Sequence, residues 1–224
     1  MIPIKALLHR GEKSWLQELK EMKRIACLFL LLCLSVLPVL TASGEAAAPP
    51  PLSAYFPVDK NYVWQFAGEG IEFAEFTRRI EFRRGARAQL SQWNGGTRLM
   101  MIFEVASQTV TRTFRREEVY DNPQFFAEPA NQATVILKAP LVVGTVWQNT
   151  ADRREIVAAD ANLTLPAGAF ANVVVVKISP TGREATDASY TLEYYAPRVG
   201  LIMQEYFGPN ELKISSRLKS FSAQ

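Results

Sequence analysis

Histidine and cysteine are almost missing from this sequence, and the few present crowd one end. His9 is the only histidine, and Cys27 and Cys33 are the two cysteines. All three precede residue 46, so a chain that sheds its first 46 residues has none. Such a chain cannot form a Ser–His–Asp or Cys–His pair, nor a zinc or copper site built on histidine or cysteine. It needs neither disulfides nor a reducing compartment. Hard-cation binding by carboxylates and acid–base chemistry by aspartate and glutamate alone stay open. No catalytic residue, metal ligand or cofactor is assigned.

An excess of one charge is also missing. Six of the 25 Lys/Arg and four of the 22 Asp/Glu lie in residues 1–46, which leaves 19 basic against 18 acidic residues. A strongly basic nucleic-acid face is therefore not expected. No Walker or dinucleotide glycine pattern occurs, and no helix-period run is longer than about ten residues.

What is present begins with an uncharged stretch over residues 25–44, preceded by Met22-Lys23-Arg24 and followed by small residues (GEAAAPPP). Basic, apolar and small-residue regions in that order predict a signal peptide over 22–46. Cleavage is expected after Gly44 or Ala46. The apolar core Ile25–Leu40 is 16 residues, short of the roughly 20 of a full span. An uncleaved anchor over 25–44, with Lys20, Lys23 and Arg24 inside, is the alternative. Residues 1–21 read as an extension upstream of a true start at Met22. Cys27 and Cys33 lie too early for lipid attachment. The expected location is extracytoplasmic, periplasmic or at the cell surface.

Residues 47–54 form a Pro/Ala-rich leader that is expected not to pack, and 55–224 read as one domain. Ten to thirteen short strands are expected there, separated by turn signals every 8–12 residues. Ile71–Arg84 reads as one strand whose apolar face changes near Ala74–Phe76, explained by a bulge. Asn94–Gly95–Gly96 marks a hairpin. Val119–Asn131 breaks the rhythm and reads as a long loop. Arg153–Ala159 and Asn162–Leu165 read as separate strands, and Val173–Ile178 as a central one. The fold class is all-β: an antiparallel curved sheet, a two-sheet sandwich, or a partly open barrel.

Four elements carry a family likeness: YFPVDKNYVWQF (55–66), GTVWQN (144–149), LPAGAFANVVVVK (165–177) and YYAPRVGLIMQEY (194–206). With these the chain resembles a group of exported and lipoprotein-like all-β domains of endospore-forming and related bacteria. The resemblance implies an exported β domain and no particular activity.

Trp93, at the hairpin end, is the foremost aromatic contact candidate, while Trp64 reads as core. Tyr194 and Tyr195 must face opposite ways, which places Tyr195, together with Tyr206, among the binding candidates. Phe125 and Phe126 either plug one end of the core or line a ligand mouth. Arg112, Arg115 and Arg116 with Glu117 and Glu118 read as a solvated surface. Arg78, Arg79, Arg83, Arg84 and Arg87 form a denser set that would suit anionic headgroups or cell-wall polymer. Asp121, Glu128, Asp152, Glu155 and Asp160 are the acids nearest loops. The leading function is a non-catalytic binding module for an apolar ligand, an envelope component or a protein partner. A structural or assembly domain without ligand and a hydrolase using two carboxylates are the alternatives. Lipid, cell-wall polymer or envelope protein are the expected partners, and nucleic acid is not.

Overall fold

The computed structural model describes residues 50–182 and 189–223. The predicted export segment, residues 1–21 and the cleavage sites fall outside the described residues. Among the described residues, no helix is long and apolar enough to cross a membrane.

Twelve antiparallel strands form one nearly closed, barrel-like sheet. One half comprises β1 (Tyr62–Glu69), β2 (Phe76–Arg84), β3 (Arg87–Trp93), β4 (Arg98–Val105), β5 (Thr109–Arg116) and β6 (Thr134–Lys138). The other comprises β7 (Val146–Gln148), β8 (Asp152–Leu165), β9 (Gly168–Pro180), β10 (Tyr190–Ala196), β11 (Gly200–Phe207) and β12 (Lys213–Ala223). Each strand pairs with its sequence neighbour, and β1 joins the halves by pairing with β12. The alternation of apolar and polar residues decides this architecture, because it gives each strand one face that must leave water. Turn chemistry sets the register. At the β3–β4 turn, Asn94 Oδ1 accepts from the Gly96 and Thr97 amides at 3.1 and 2.8 Å, and Gly95 takes φ 90°.

The inner faces meet in one apolar core that includes Trp64, Phe66, Ile80, Leu90, Ile156 and Val176. Phe66 stacks on Phe76 with centroids 4.4 Å apart. Trp64 is core as expected, and its Nε1 donates to the Val199 carbonyl at 2.7 Å. Packing begins earlier than the leader pattern implied: Leu52 and Tyr55, on a short 3-10 turn, are both buried. The Tyr55 hydroxyl donates to the Asn172 carbonyl at 3.0 Å, which fastens the entering chain to β9.

Two expectations on the strands change. Ile71–Arg84 is not one bulged strand. A 3-10 turn at Glu72–Ala74 interrupts it, and that turn accounts for the change of apolar face. It crosses over β1 so closely that a Cβ on Gly68 would lie 2.1 Å from the Glu75 nitrogen, so only glycine fits there. A register shift between Ile80 and Phe82 then turns Phe82 outward. Finally, residues 153–165 belong to one long strand, β8, whose irregular pairing with β9 lets the hairpin bend. Its tip reaches β12, where the Ala167 amide donates to the Leu218 carbonyl at 3.1 Å.

The backbone ladder stops between β6 and β7, and side chains bridge that seam. Asn149 imitates a strand: its Oδ1 accepts from the Val135 amide at 2.9 Å, and its Nδ2 donates to the Val135 carbonyl at 3.1 Å. Trp147 Nε1 donates to the same carbonyl at 2.9 Å, and Arg154 Nη1 donates to the Ile136 carbonyl at 3.4 Å.

A second, smaller core lies on the outer face. Loop residues Val119, Phe125 and Phe126 cover Met100, Ile102 and Phe114 there. Gln89, fully buried, fixes the loop: its Nε2 donates to the Pro123 carbonyl and its Oε1 accepts from the Phe125 amide, both at 2.7 Å. Gln89→Leu removes both bonds and leaves the Phe125 amide unpaired, a loss of about 1–3 kcal/mol. Limited proteolysis is expected to cut this variant between residues 119 and 131 while the barrel survives; resistance equal to the parent would contradict the tether.

Candidate functional site: an arginine-lined barrel mouth

The two barrel ends differ in chemistry. At the end where the chain enters, an open cleft of about 780 Å³ is lined by Phe56, Pro57, Val58, Tyr62, Arg83 and Arg198 among others. Its polar groups largely serve one another: Arg83 donates to the Asp59 carbonyl, and the Tyr62 hydroxyl donates to Asp59 Oδ1 at 3.2 Å. Between the ends, the hollow beside Trp64, Phe66, Arg78 and Leu90 measures only about 10 Å³. That is no more than about one water-sized probe. That hollow has no space for an apolar guest.

The opposite end carries charge inside the barrel. Arg78 lies between Phe76 and Ile80 on the inner face of β2, Arg112 two residues beyond Val110 on β5, and Arg154 two before Ile156 on β8. Glu193 and Tyr195 approach them from β10. Arg154 is well paired. Its Nε and Nη2 donate to Asp152 Oδ1 and Oδ2 at 3.1 and 3.3 Å, and its Nη1 donates to Glu193 Oε2 at 3.3 Å. The Tyr195 hydroxyl donates to the same Glu193 oxygen at 2.6 Å. Burial pushes the Tyr195 hydroxyl well above its ordinary pKa, with Glu193 adding to it. Burial also works to lower Arg154, but Glu193, Tyr195 and Asp152 overcome it, so the guanidinium is held charged more firmly than usual.

Arg78 and Arg112 are held differently. Their anchors are neutral amides: Arg78 Nη2 donates to Gln92 Oε1 at 2.7 Å, and Arg112 Nε donates to Gln132 Oε1 at 3.0 Å. Among the described residues, neither has a carboxylate at ion-pair distance. Burial lowers the pKa of both, the charges of Arg115 and Arg154 lower that of Arg112 further, and Glu193 partly offsets the fall at each. Protein surrounds Arg78 on most sides, yet it and Arg112 keep partial exposure at the mouth. Three guanidiniums thus share two carboxylates among the described residues.

The sequence candidates are distributed across this frame. Tyr195 sits inside the network, 2% exposed. Tyr194 faces outward as the alternation requires, donating to Glu205 Oε2 at 2.7 Å. Trp93 is on the rim of the charged end, 42% exposed. Tyr206 is half-buried on β11 opposite Thr191 and Ile214. Phe125 and Phe126 belong to the outer core, with Arg116 over the Phe125 ring at 4.7 Å and Arg87 over Phe126 at 5.3 Å.

The two arginine sets read as surface are split by the fold, since Arg78 and Arg112 point inward while Arg79, Arg84, Arg115 and Arg116 are exposed. The signal was present: each inward arginine occupies the apolar phase of an alternating strand. Counting charge per segment hides that phase. Asp152 stands out in the sequence as an acid near a loop, whereas Glu193 is masked by the hydroxyls of Tyr194 and Tyr195 beside it.

No protein-family model matches the chain, and no curated protein matches it. Two solved structures align with it. One is a candidate exported protein with a YmcC-like fold from Bacteroides fragilis, 15% identical, with 75% of this chain and 98% of that chain covered and a TM-score of 0.44. The other is a candidate lipoprotein from Parabacteroides distasonis, 13% identical over the same shares, with a TM-score of 0.36.

Proposed function

We propose that the domain is an extracytoplasmic, non-catalytic binding module that takes an anionic group of an envelope component into the arginine-lined mouth. The carrying observation is the pair Arg78 and Arg112, largely enclosed by protein and donating to glutamine oxygens, with no carboxylate at ion-pair distance among the described residues. A partly buried charge without a counterion lowers stability, and a bound anion offsets that loss with charge-assisted hydrogen bonds. The uncharged run 25–44 behind Lys23–Arg24 supports export. Asp152 and Glu193 are both engaged by Arg154, and Glu193 also by Tyr195. Carboxylates so engaged are poor general acids and bases, which supports binding over hydrolysis.

The filled interior favours a second reading, a structural domain without ligand. Arg112→Gln separates the two. If the mouth binds anions, the variant is as stable as the parent or more stable by roughly 1 kcal/mol. The parent's Tm rises with added sulfate or glucuronate beyond a chloride control of equal ionic strength, and that rise disappears in the variant. A parent indifferent to both anions, together with a variant that is less stable, would favour the structural domain.

A further inference from the structure

We infer that the anionic component is an acidic glycan, a chain of sugar rings bearing carboxylates, which lies across the rim of the mouth; this rests on the anion-binding reading above. The added observation is a group of exposed rings at the same end of the barrel. Phe73, Trp93 and Tyr120 are 54%, 42% and 61% exposed. They gather around one turn. The Trp93 and Tyr120 rings are 6.3 Å apart at 80°, and the Tyr120 hydroxyl donates to the Gly96 carbonyl at 3.4 Å. A Cβ on Gly96 would sit 3.8 Å from the Phe73 ring.

The register ties this ledge to the mouth. Gln92, which holds Arg78 inside, immediately precedes Trp93 on β3, and successive side chains take opposite faces. A ligand crossing the rim therefore meets aromatic rings on one side and guanidiniums on the other. Sugar rings present apolar C–H faces that lie against indole and phenol rings, while a carboxylate matches a guanidinium fork with two parallel hydrogen bonds. Each uronate residue offers both surfaces on one small unit. A lipid tail does not fit the hollow of about 10 Å³ beside Arg78. A single-stranded nucleic acid also combines rings and negative charge, but it needs a basic track along its backbone. Here the surplus charge is recessed among Asp152 and Glu193, and 19 basic residues nearly balance 18 acidic ones beyond residue 46.

The test is calorimetric titration of the protein, recovered after expression of the full chain, with four probes: hexagalacturonate, monomeric galacturonate, a neutral galactose hexasaccharide and a thymidine decanucleotide. The acidic hexasaccharide is expected to bind best, and Trp93→Ala to weaken it roughly tenfold while leaving the monomer and Tm unchanged. Arg112→Gln is expected to abolish both acidic probes. If Trp93→Ala leaves the hexasaccharide unaffected while Arg112→Gln abolishes it, the anion site stands and the glycan assignment falls. Equal binding of the neutral hexasaccharide, tighter binding of the decanucleotide, or no binding of hexagalacturonate would each overturn the glycan assignment. The sulfate and glucuronate response of Tm judges the anion site separately.

Discussion

Replacing Arg154 by methionine is expected to reduce the free energy of unfolding by about 3–5 kcal/mol, the cost of leaving buried charges without their partner. Arg154 is the only inward arginine with carboxylate partners among the described residues, and it has two of them. The side chains involved are 6%, 17% and 14% exposed for Arg154, Asp152 and Glu193. Methionine matches the length of the arginine stem, so lost packing contributes little, and the loss reports the orphaned carboxylates. Two further measurements isolate that origin. Adding Asp152→Asn and Glu193→Gln to the variant is expected to restore most of the stability in urea unfolding. Lowering the pH is expected to narrow the gap between Arg154→Met and the parent. Protonating a carboxylate removes an uncompensated buried charge, so the penalty shrinks in acid. A loss that is independent of pH and unrescued would mean that Arg154 acts mainly through its bond to Ile136 across the seam.

Trp147→Ala is expected to cost a similar amount, about 3–5 kcal/mol, by emptying a large buried volume. Its effect should also be local in a way that the loss of another core aromatic would not be. Trp147 lies on the three-residue edge strand β7 and is 6% exposed. Its indole nitrogen donates to the Val135 carbonyl across the seam. Hydrogen exchange is therefore expected to accelerate first in Thr134–Lys138 and Val146–Gln148, while β1–β4 keep their protection in proportion to the remaining global stability. Trp147→Phe keeps most of the ring but loses the donor, and its cost should fall to about 1–2 kcal/mol. Uniform acceleration over all twelve strands would show that the seam does not open separately from the barrel.

Much of the fold is legible in the chain, and the reason is physical. Strands with one wet face, such as Arg98–Val105, declare themselves by alternation. Asn94–Gly95–Gly96 declares its turn, because side-chain acceptor and positive φ belong together. The all-β class and the antiparallel order follow from such local signals. What stays hidden is set by contacts distant in sequence. The seam depends on Asn149 reaching Val135, and no local pattern predicts that a polar residue after a three-residue strand will stand in for a backbone ladder. The step from sandwich to barrel depends on the same contact. The interruption at Glu72–Ala74 reads as a bulge, since both devices shift the apolar phase and only the packing over Gly68 separates them.

The charged mouth was half legible. Tyr195 and Trp93 stand out by type and position, and the structure puts one inside the network and the other on its rim. Arg78 and Arg112 were obscured by their neighbours. In the runs Thr77–Arg84 and Arg112–Glu118, an inward cation sits among outward ones, and net charge erases the difference. Tyr206, Phe125 and Phe126 stand out in the sequence by aromatic character alone. The register leaves Tyr206 on β11, and it places the phenylalanine pair under a loop on the outer face.

The pairing of β1 with β12 has a consequence for how the chain assembles. Ten of the eleven strand pairings join consecutive strands and can form as soon as each hairpin exists. The exception sets Tyr62 opposite Ala223, across nearly the whole domain. A chain that emerges N-terminus first completes β1 early, with one edge bare, and supplies the matching strand last. Throughout that interval the edge of β1 is a template for any other extended segment, and closing so long a loop is the slow step. Folding in step with synthesis would lengthen that exposure, whereas folding of a finished chain would confine it to a single closing event.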